Sequence, residues 1–131
     1  MFTLSYEHRC NVLLACFAGV YSSEDIADLD IALLEFAARH GPSYIIRDLS
    51  AVDGVAVPAS KIVQRGQEPP ISPGYRRVTV APRPDLHETA RIYGVEQRLA
   101  GNDAPKLVST LDEALEELAV VDPRFELVTK A

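Results

Sequence analysis

Residues 22–49 read SSEDIADLDIALLEFAARHGPSYIIRDL and predict a helix followed by a buried strand. Apolar side chains recur at the helical period from Ile26 onward, which is typical of a helix with one face on the core. Ser22 is placed to cap the helix, and Gly41 followed by Pro42 ends it in the expected order. Because YIIRDL is a short apolar run directly after this helix, we expect helices and strands to alternate along the chain.

The sequence before this stretch predicts a hairpin of two strands. FTLSYEH alternates apolar and polar side chains over residues 2–8, and NVLLACFAGVY follows over residues 11–21 after a turn. The second segment is apolar at both odd and even positions. A strand of this kind is covered on both faces, so we expect it in the centre of a sheet.

Three more helices and two more strands are predicted after the buried strand. SAVDGVAV (50–57) is predicted as a loop, and Pro58 opens the short helix PASKIVQRGQ. The remaining segments are the strand YRRVTVAP (75–82), the helix PDLHETARIYGVEQRLAG (84–101), the strand KLVS (106–109) and the helix TLDEALEELA (110–119). Capping boxes are expected at the starts of the last two helices, formed by Asp85 with Glu88 and by Thr110 with Glu113.

The order β-β-α-β-α-β-α-β-α predicts an α/β fold. Its sheet should be mixed, mostly parallel and five-stranded, with an antiparallel strand from the N-terminal hairpin and helices on its faces. A chain of 131 residues is long enough for one domain, which we assign to residues 1–121. Residues 122–131 are predicted as a C-terminal tail that either packs on the body, where it could add an edge strand, or is flexible.

The composition limits the location and the partners of the protein. The longest apolar run, Val12 to Val20, is about half of the roughly 20 residues that span a bilayer. The N-terminus, MFTLSYEHR, lacks the pattern of a secretory signal, so we predict a cytoplasmic location without an integral membrane segment. A net charge of −6 argues against nucleic acid as a partner, although residues 61–106 alone carry a net charge of +3.

No residue pattern supports catalysis, a cofactor or a metal site. The two cysteines would be about 20 Å apart on one extended strand, and no two of the three histidines stand at the spacing of metal ligands. Neither Ser50 nor Ser60 is flanked by the glycines of a nucleophile elbow, and no glycine-rich nucleotide loop is present. We therefore predict a protein that is not an enzyme, with a hydrolase as the remote alternative.

Two features mark a candidate binding surface. Asp48 is expected at the carboxyl end of a parallel strand, where α/β sheets bind ligands; the alternative is that its carboxylate only caps the following turn. Five arginines surround the proline-rich loop EPPISPG (68–74) and form either a site for an anion or acidic partner or a solvated face. These arginines are Arg65, Arg76, Arg77, Arg83 and Arg91.

The segment IIRDLSAVDGV, together with the order of elements, resembles the SpoIIAA-like or STAS family, whose best-known members are anti-sigma factor antagonists. The resemblance covers nearly the whole chain as topology, and its motif is Asp48-Leu49-Ser50 with Val52. The run from AGVYSSEDIADLD through VAVPASKIVQR looks more closely like a bacterial branch also described as STAS/SEC14-like. The resemblance implies a SpoIIAA-like fold and a non-catalytic regulatory or interaction module.

One departure from that family concerns its regulatory serine. Antagonists of the phosphorylated type carry an Asp-Ser-Ser-Gly-like segment at the start of the helix after this loop. Here the corresponding residues are Val55-Ala56-Val57-Pro58-Ala59, and Ser60 lies one or two positions further on. We therefore assign no phosphorylation site to any residue.

The apolar residues at 55–59, which stand in place of the serine segment, suggest either an apolar rim of a groove beside the arginines or side chains that simply close the core. The first predicted function is binding of a protein partner, or of a second copy in a homodimer, through the loop and helix at 55–71. The alternative is a carrier or sensor of a small apolar anion such as a fatty acid or lipid, in a pocket between residues 55–71 and 85–100. The candidate residues are Asp48, Ser50, Val55, Val57, Pro58, Ser60, Lys61, Ile62, Arg65, Ile71, Arg76 and Arg77.

Overall fold

A computed structural model describes residues 1–128 and contains six strands and four helices within that range. In chain order the elements are β1 (Phe2–Glu7), β2 (Val12–Tyr21), α1 (Ser23–His40), β3 (Tyr44–Val55), α2 (Ala59–Gly66), β4 (Arg77–Val80), α3 (Pro84–Leu99), β5 (Lys106–Val108), α4 (Leu111–Glu117) and β6 (Glu126–Leu127). The predicted α/β class and the predicted order through α4 are confirmed.

The strands form one mixed sheet in the order β5-β4-β3-β2-β1-β6. β2, β3, β4 and β5 are parallel to one another, whereas β1 is antiparallel to both of its neighbours. The sheet has six strands rather than five because Glu126 and Leu127 of the C-terminal tail pair with β1. The tail therefore adds an edge strand over its described part, and the prediction for residues 129–131 lies outside the described residues.

The central strand β2 separates two apolar cores, as its uninterrupted apolar sequence predicts. Leu13, Ala15 and Phe17 face the side covered by α1 and α3, where Leu33 is also buried. Val12 and Leu14 face the other side, which α4 covers. Because successive side chains of a strand point to opposite faces, this alternation places three helices on one face and α4 on the other.

Helix α1 begins and ends where the sequence predicts. The Ser22 hydroxyl accepts a hydrogen bond from the Asp25 backbone N–H, and the Asp25 carboxylate accepts one from the Ser22 N–H at 3.0 Å. Gly41 ends the helix with a φ of 83°, a backbone conformation that glycine adopts without a steric penalty. Leu29, Leu33 and Phe36 on the predicted apolar stripe are buried.

Two predictions about local structure are wrong. Most of the predicted loop 50–57 is strand, because β3 continues through Val55 and stays paired with β2 across two register shifts. The capping box at the start of α3 does not form: Arg83 is the N-cap residue without a side-chain cap. The two carboxylates expected in this capping box are each paired with an arginine instead: Asp85 pairs with Arg83, and Glu88 pairs with Arg91.

The cap of α4 forms at Thr110, whose hydroxyl accepts a hydrogen bond from the Glu113 N–H at 3.2 Å. The two cysteines, both half-buried, form no disulfide. Within residues 1–128, no helix combines the length and the apolar character that a membrane-crossing segment needs.

Candidate functional site

An arginine on the core side of β3 is the centre of the candidate site. Ile45, Arg47 and Leu49 alternate with Ile46 and Asp48, and Ile45 and Leu49 belong to the core under α1 and α3. Arg47 pairs in register with Thr79 of β4. Strand alternation therefore places a guanidinium beneath the helices, where an apolar side chain would be expected.

The Arg47 side chain lines a small cavity between this face of the sheet and the helices α1, α2 and α3. The cavity, here called the Arg47 cavity, has a volume of about 50 Å³. A buried water needs roughly 10–15 Å³ of such space, so there is room for a few small groups and no more. Its lining residues are Tyr21, Ile26, Leu29, Asp30, Arg47, Leu49, Ile62, Arg65, Thr79, Thr89, Ala90 and Tyr93.

One wall of the cavity is an ion pair between α1 and α2. The Arg65 Nε lies 2.8 Å from Asp30 Oδ2, and its Nη2 lies 3.2 Å from Oδ1. This two-point geometry matches the planar guanidinium to the carboxylate. The pair is largely shielded from solvent, with side-chain exposures of 10% for Arg65 and 23% for Asp30.

A second arginine network lies behind Tyr93. The Arg77 Nη1 donates to the Tyr93 hydroxyl at 3.1 Å and to Gln97 Oε1 at 2.9 Å, and its Nη2 donates to the backbone carbonyl of Asp103. Gln97 is completely buried, and its amide donates to the carbonyls of Gly66 and Glu68. These contacts fix the end of α2 against α3, and they surround the Arg77 charge with neutral oxygens only.

Arg47 lacks both the salt bridge that Arg65 forms with Asp30 and the three hydrogen bonds that fix Arg77. Its Nε is buried and makes no hydrogen bond to any residue in the described part of the chain. Its guanidinium carbon lies 5.6 Å from the centre of the Tyr93 ring, which is a favourable cation–π distance. Tyr93 and Asp30 stabilise its charge, and a largely shielded cation without a salt-bridge partner is a candidate functional group.

The cationic surroundings change the acidity of the two tyrosines at the cavity. Burial raises the pKa of Tyr21 to about 12. Burial alone would also raise the pKa of Tyr93, but Arg47, Arg65 and Arg77 outweigh it, and the pKa of Tyr93 is lowered. Three arginines act on Tyr93, whereas Arg47 is the one arginine that lowers the pKa of Tyr21, and burial outweighs it there.

The structure separates the twelve predicted site residues into three groups. Four apolar members pack into the interior: Val57 and Ile62 are buried, and Val55 and Ile71 are half-buried against the cores. Val57 and Ile62 therefore face inward, and Ile62 also lines the Arg47 cavity. Pro58, Ser60 and Lys61 are exposed near the start of α2.

The remaining predicted residues do not form one cluster. The Asp48 carboxylate accepts hydrogen bonds from the Ser50 N–H at 2.9 Å and from the Ser50 hydroxyl at 2.5 Å, so it stabilises the local backbone. Arg76 is exposed and pairs with Glu117 of α4. Arg65 belongs to the Arg47 cavity and Arg77 to the network behind it.

Of the twelve residues that line the cavity, ten were not among the sequence candidates, and the most important of these are Tyr21, Asp30, Arg47 and Tyr93. One signal was present in the sequence. Arg47 occupies the same alternation face as Ile45 and Leu49, and a charged residue on the core face of a central strand is unusual. The other three come from distant parts of the chain, and only the tertiary fold brings them together.

A second concave surface lies between α1 and α2 and is open to solvent. This α1–α2 groove has a volume of about 370 Å³ and includes Ala27 of α1 and Lys61 and Gln64 of α2. The side chains of Lys61 and Gln64 are exposed and make no hydrogen bond or ion pair with other residues between 1 and 128. Within the same range, no group of three or more histidine, cysteine, aspartate or glutamate residues could hold a metal ion.

Comparisons with known proteins identify the fold. No family model matches the sequence, and no curated protein matches it. The solved structure of the anti-sigma factor antagonist SpoIIAA in its unphosphorylated form is similar, with a TM-score of 0.60 and 12% sequence identity. The match covers 92% of this chain and 100% of SpoIIAA. The chain therefore has the SpoIIAA-like, or STAS, fold, which confirms the resemblance at the level of architecture.

Proposed function

We propose that the protein is a non-catalytic interaction module that recognises a protein partner through α2 and the segment before it. The observation that supports this proposal is the α1–α2 groove, where Lys61 and Gln64 are exposed without partners in the described chain. Pro58 and Ser60, at the start of the same helix, are also exposed. SpoIIAA, which is named an anti-sigma factor antagonist, has a similar fold.

Site-specific photocrosslinking in the native cells tests this proposal. A benzophenone amino acid placed at Gln64 should give one crosslinked product of discrete mass, because the groove would be covered by the partner. The same amino acid at Asp112, which is exposed on α4 across the sheet, is the matched control. Lys61→Glu should abolish the product at position 64. Equal products at both positions, or none at either, would contradict the proposal.

A second candidate function is the sensing of a small anion, and the unpartnered Arg47 guanidinium supports it. Ligand pockets usually enclose about 300–1,000 Å³. At about 50 Å³ the Arg47 cavity has no room for an acyl chain, so a small anion fits better than a fatty acid. Thermal unfolding at constant ionic strength with nitrate, phosphate, propionate and octanoate tests this function. At least one anion should raise the Tm in wild type and not in Arg47→Met; if none does, the function is refuted.

A further inference from the structure

The cluster around Tyr93 has more positive than negative charge. Arg47, Arg65 and Arg77 all act on Tyr93, and Asp30 is the one carboxylate that lines the cavity. Both oxygens of the Asp30 carboxylate already accept a hydrogen bond from Arg65. Because desolvated cations are stabilised mainly by paired anions, the cluster lacks a negative group.

Arg47 is the arginine that such a group would contact. Its charge has no carboxylate partner in residues 1–128, and its buried Nε–H has no acceptor. Arg77, in contrast, already donates to three neutral oxygens. A guanidinium that lines a cavity and has no carboxylate partner can form a forked interaction with a planar oxyanion.

The walls of the cavity define the rest of the ligand. Ile26, Leu29, Leu49 and Ile62 make most of the lining away from Arg47 apolar, while Thr79 and Thr89 contribute hydroxyl groups. Phosphate and sulfate carry several charged oxygens, which these aliphatic walls would desolvate at high cost. A short monocarboxylate instead presents two planar oxygens at one end and a few carbon atoms at the other.

We infer that the Arg47 cavity binds a short-chain monocarboxylate, with Arg47 as the anchor of the carboxylate and the aliphatic side chains in contact with its alkyl end. The inference rests on the second proposed function. With about 50 Å³ available, acetate, propionate and butyrate are of suitable size, whereas octanoate is too long. Affinity should therefore be lost once the alkyl chain is too long for the cavity, although the affinity of carboxylates for apolar sites usually increases with chain length.

Isothermal titration calorimetry with these four carboxylates and with nitrate and phosphate tests the inference. Propionate should bind wild type, and octanoate should not. Arg47→Met should weaken propionate by at least about tenfold, because a charge-assisted contact is lost. The matched control is Arg91→Met, since Arg91 is exposed, pairs with Glu88 and does not line the cavity; it should change the affinity by less than about twofold.

The outcomes separate the ligand class from the broader function. Binding of nitrate or phosphate through Arg47 without binding of propionate would overturn the carboxylate inference and leave an anion sensor. Absence of binding by every anion to folded wild type would overturn both. If Arg47→Met does not fold, Thr79→Val provides the second variant, which should weaken propionate by about threefold or more through the loss of a hydroxyl contact. Unchanged affinity in a folded Arg47→Met would also contradict the inference.

Discussion

Replacing Asp30 with asparagine should destabilise the protein far more than its position on a surface helix suggests. The substitution removes the one carboxylate of the Arg47 cavity and leaves Arg65 without its counterion. Breaking a buried ion pair by removing one partner costs about 3–5 kcal/mol. Because the Asp30 side chain keeps 23% exposure, we expect the lower end, about 3 kcal/mol. At about 4 °C per kcal/mol for a domain of this size, the Tm should fall by roughly 10 °C.

Urea unfolding at 25 °C followed by circular dichroism measures this change directly. Asp28→Asn is the matched control, because Asp28 is exposed on the same helix and has no ion pair among residues 1–128. Its effect should stay within about 0.5 kcal/mol. If Asp30→Asn and Asp28→Asn differ by less than this amount, Arg65 and Asp30 are not a shielded pair and the account of the cavity wall is wrong.

Two other predictions concern the tyrosines and the packing of α2. In a pH titration followed by absorbance at 295 nm, Tyr93 should ionise with a pKa below its usual value and Tyr21 with a pKa of about 12. The stability that Tyr93 contributes is lost as the pH falls through its lowered pKa. The stability that Tyr21 contributes is lost as the pH rises from about 10 to 12. Tyr93→Phe must remove the early transition, and its persistence in that variant would contradict the assignment. Gly66→Ala should cost about 1–3 kcal/mol in urea unfolding, because a Cβ there would lie 2.5 Å from the Glu96 Cβ. Gly54→Ala, where a Cβ would meet nothing within 4 Å, is the control, and equal costs for the two variants would disprove the close contact.

Short-range signals in the sequence predicted most of the fold. The cap at Ser22, the stop at Gly41 and the apolar stripe between them depend on residues within a few positions of one another, and α1 has these boundaries in the structure. The buried strands β2 and β3 were recognisable for the same reason. The extension of β3 to Val55 was not, because it depends on pairing with the long strand β2 rather than on its own polar sequence.

The candidate site was harder to predict, because its residues converge from six separate elements. Arg47 and Thr79 become neighbours through strand pairing, while Asp30 and Tyr93 arrive on α1 and α3. The sequence predicted a pocket between residues 55–71 and 85–100. Two walls of the Arg47 cavity come from these segments, namely the wall that includes Arg65 and the wall that includes Tyr93. Val57 and Ile62, which were expected at its mouth, are buried instead, and Ile62 forms part of the cavity wall.

Anchoring of a small carboxylate by the Arg47 guanidinium can be observed directly inside the cavity. The measurement is the ¹⁵Nε–¹Hε resonance of Arg47, assigned by its loss in Arg47→Met, during titration with ¹³C-labelled propionate. We expect a saturable shift of this resonance, together with nuclear Overhauser effects between the propionate methyl group and the side chains of Leu49 and Ile62. A resonance that does not move at saturating propionate, in a protein that remains folded, would contradict the claim.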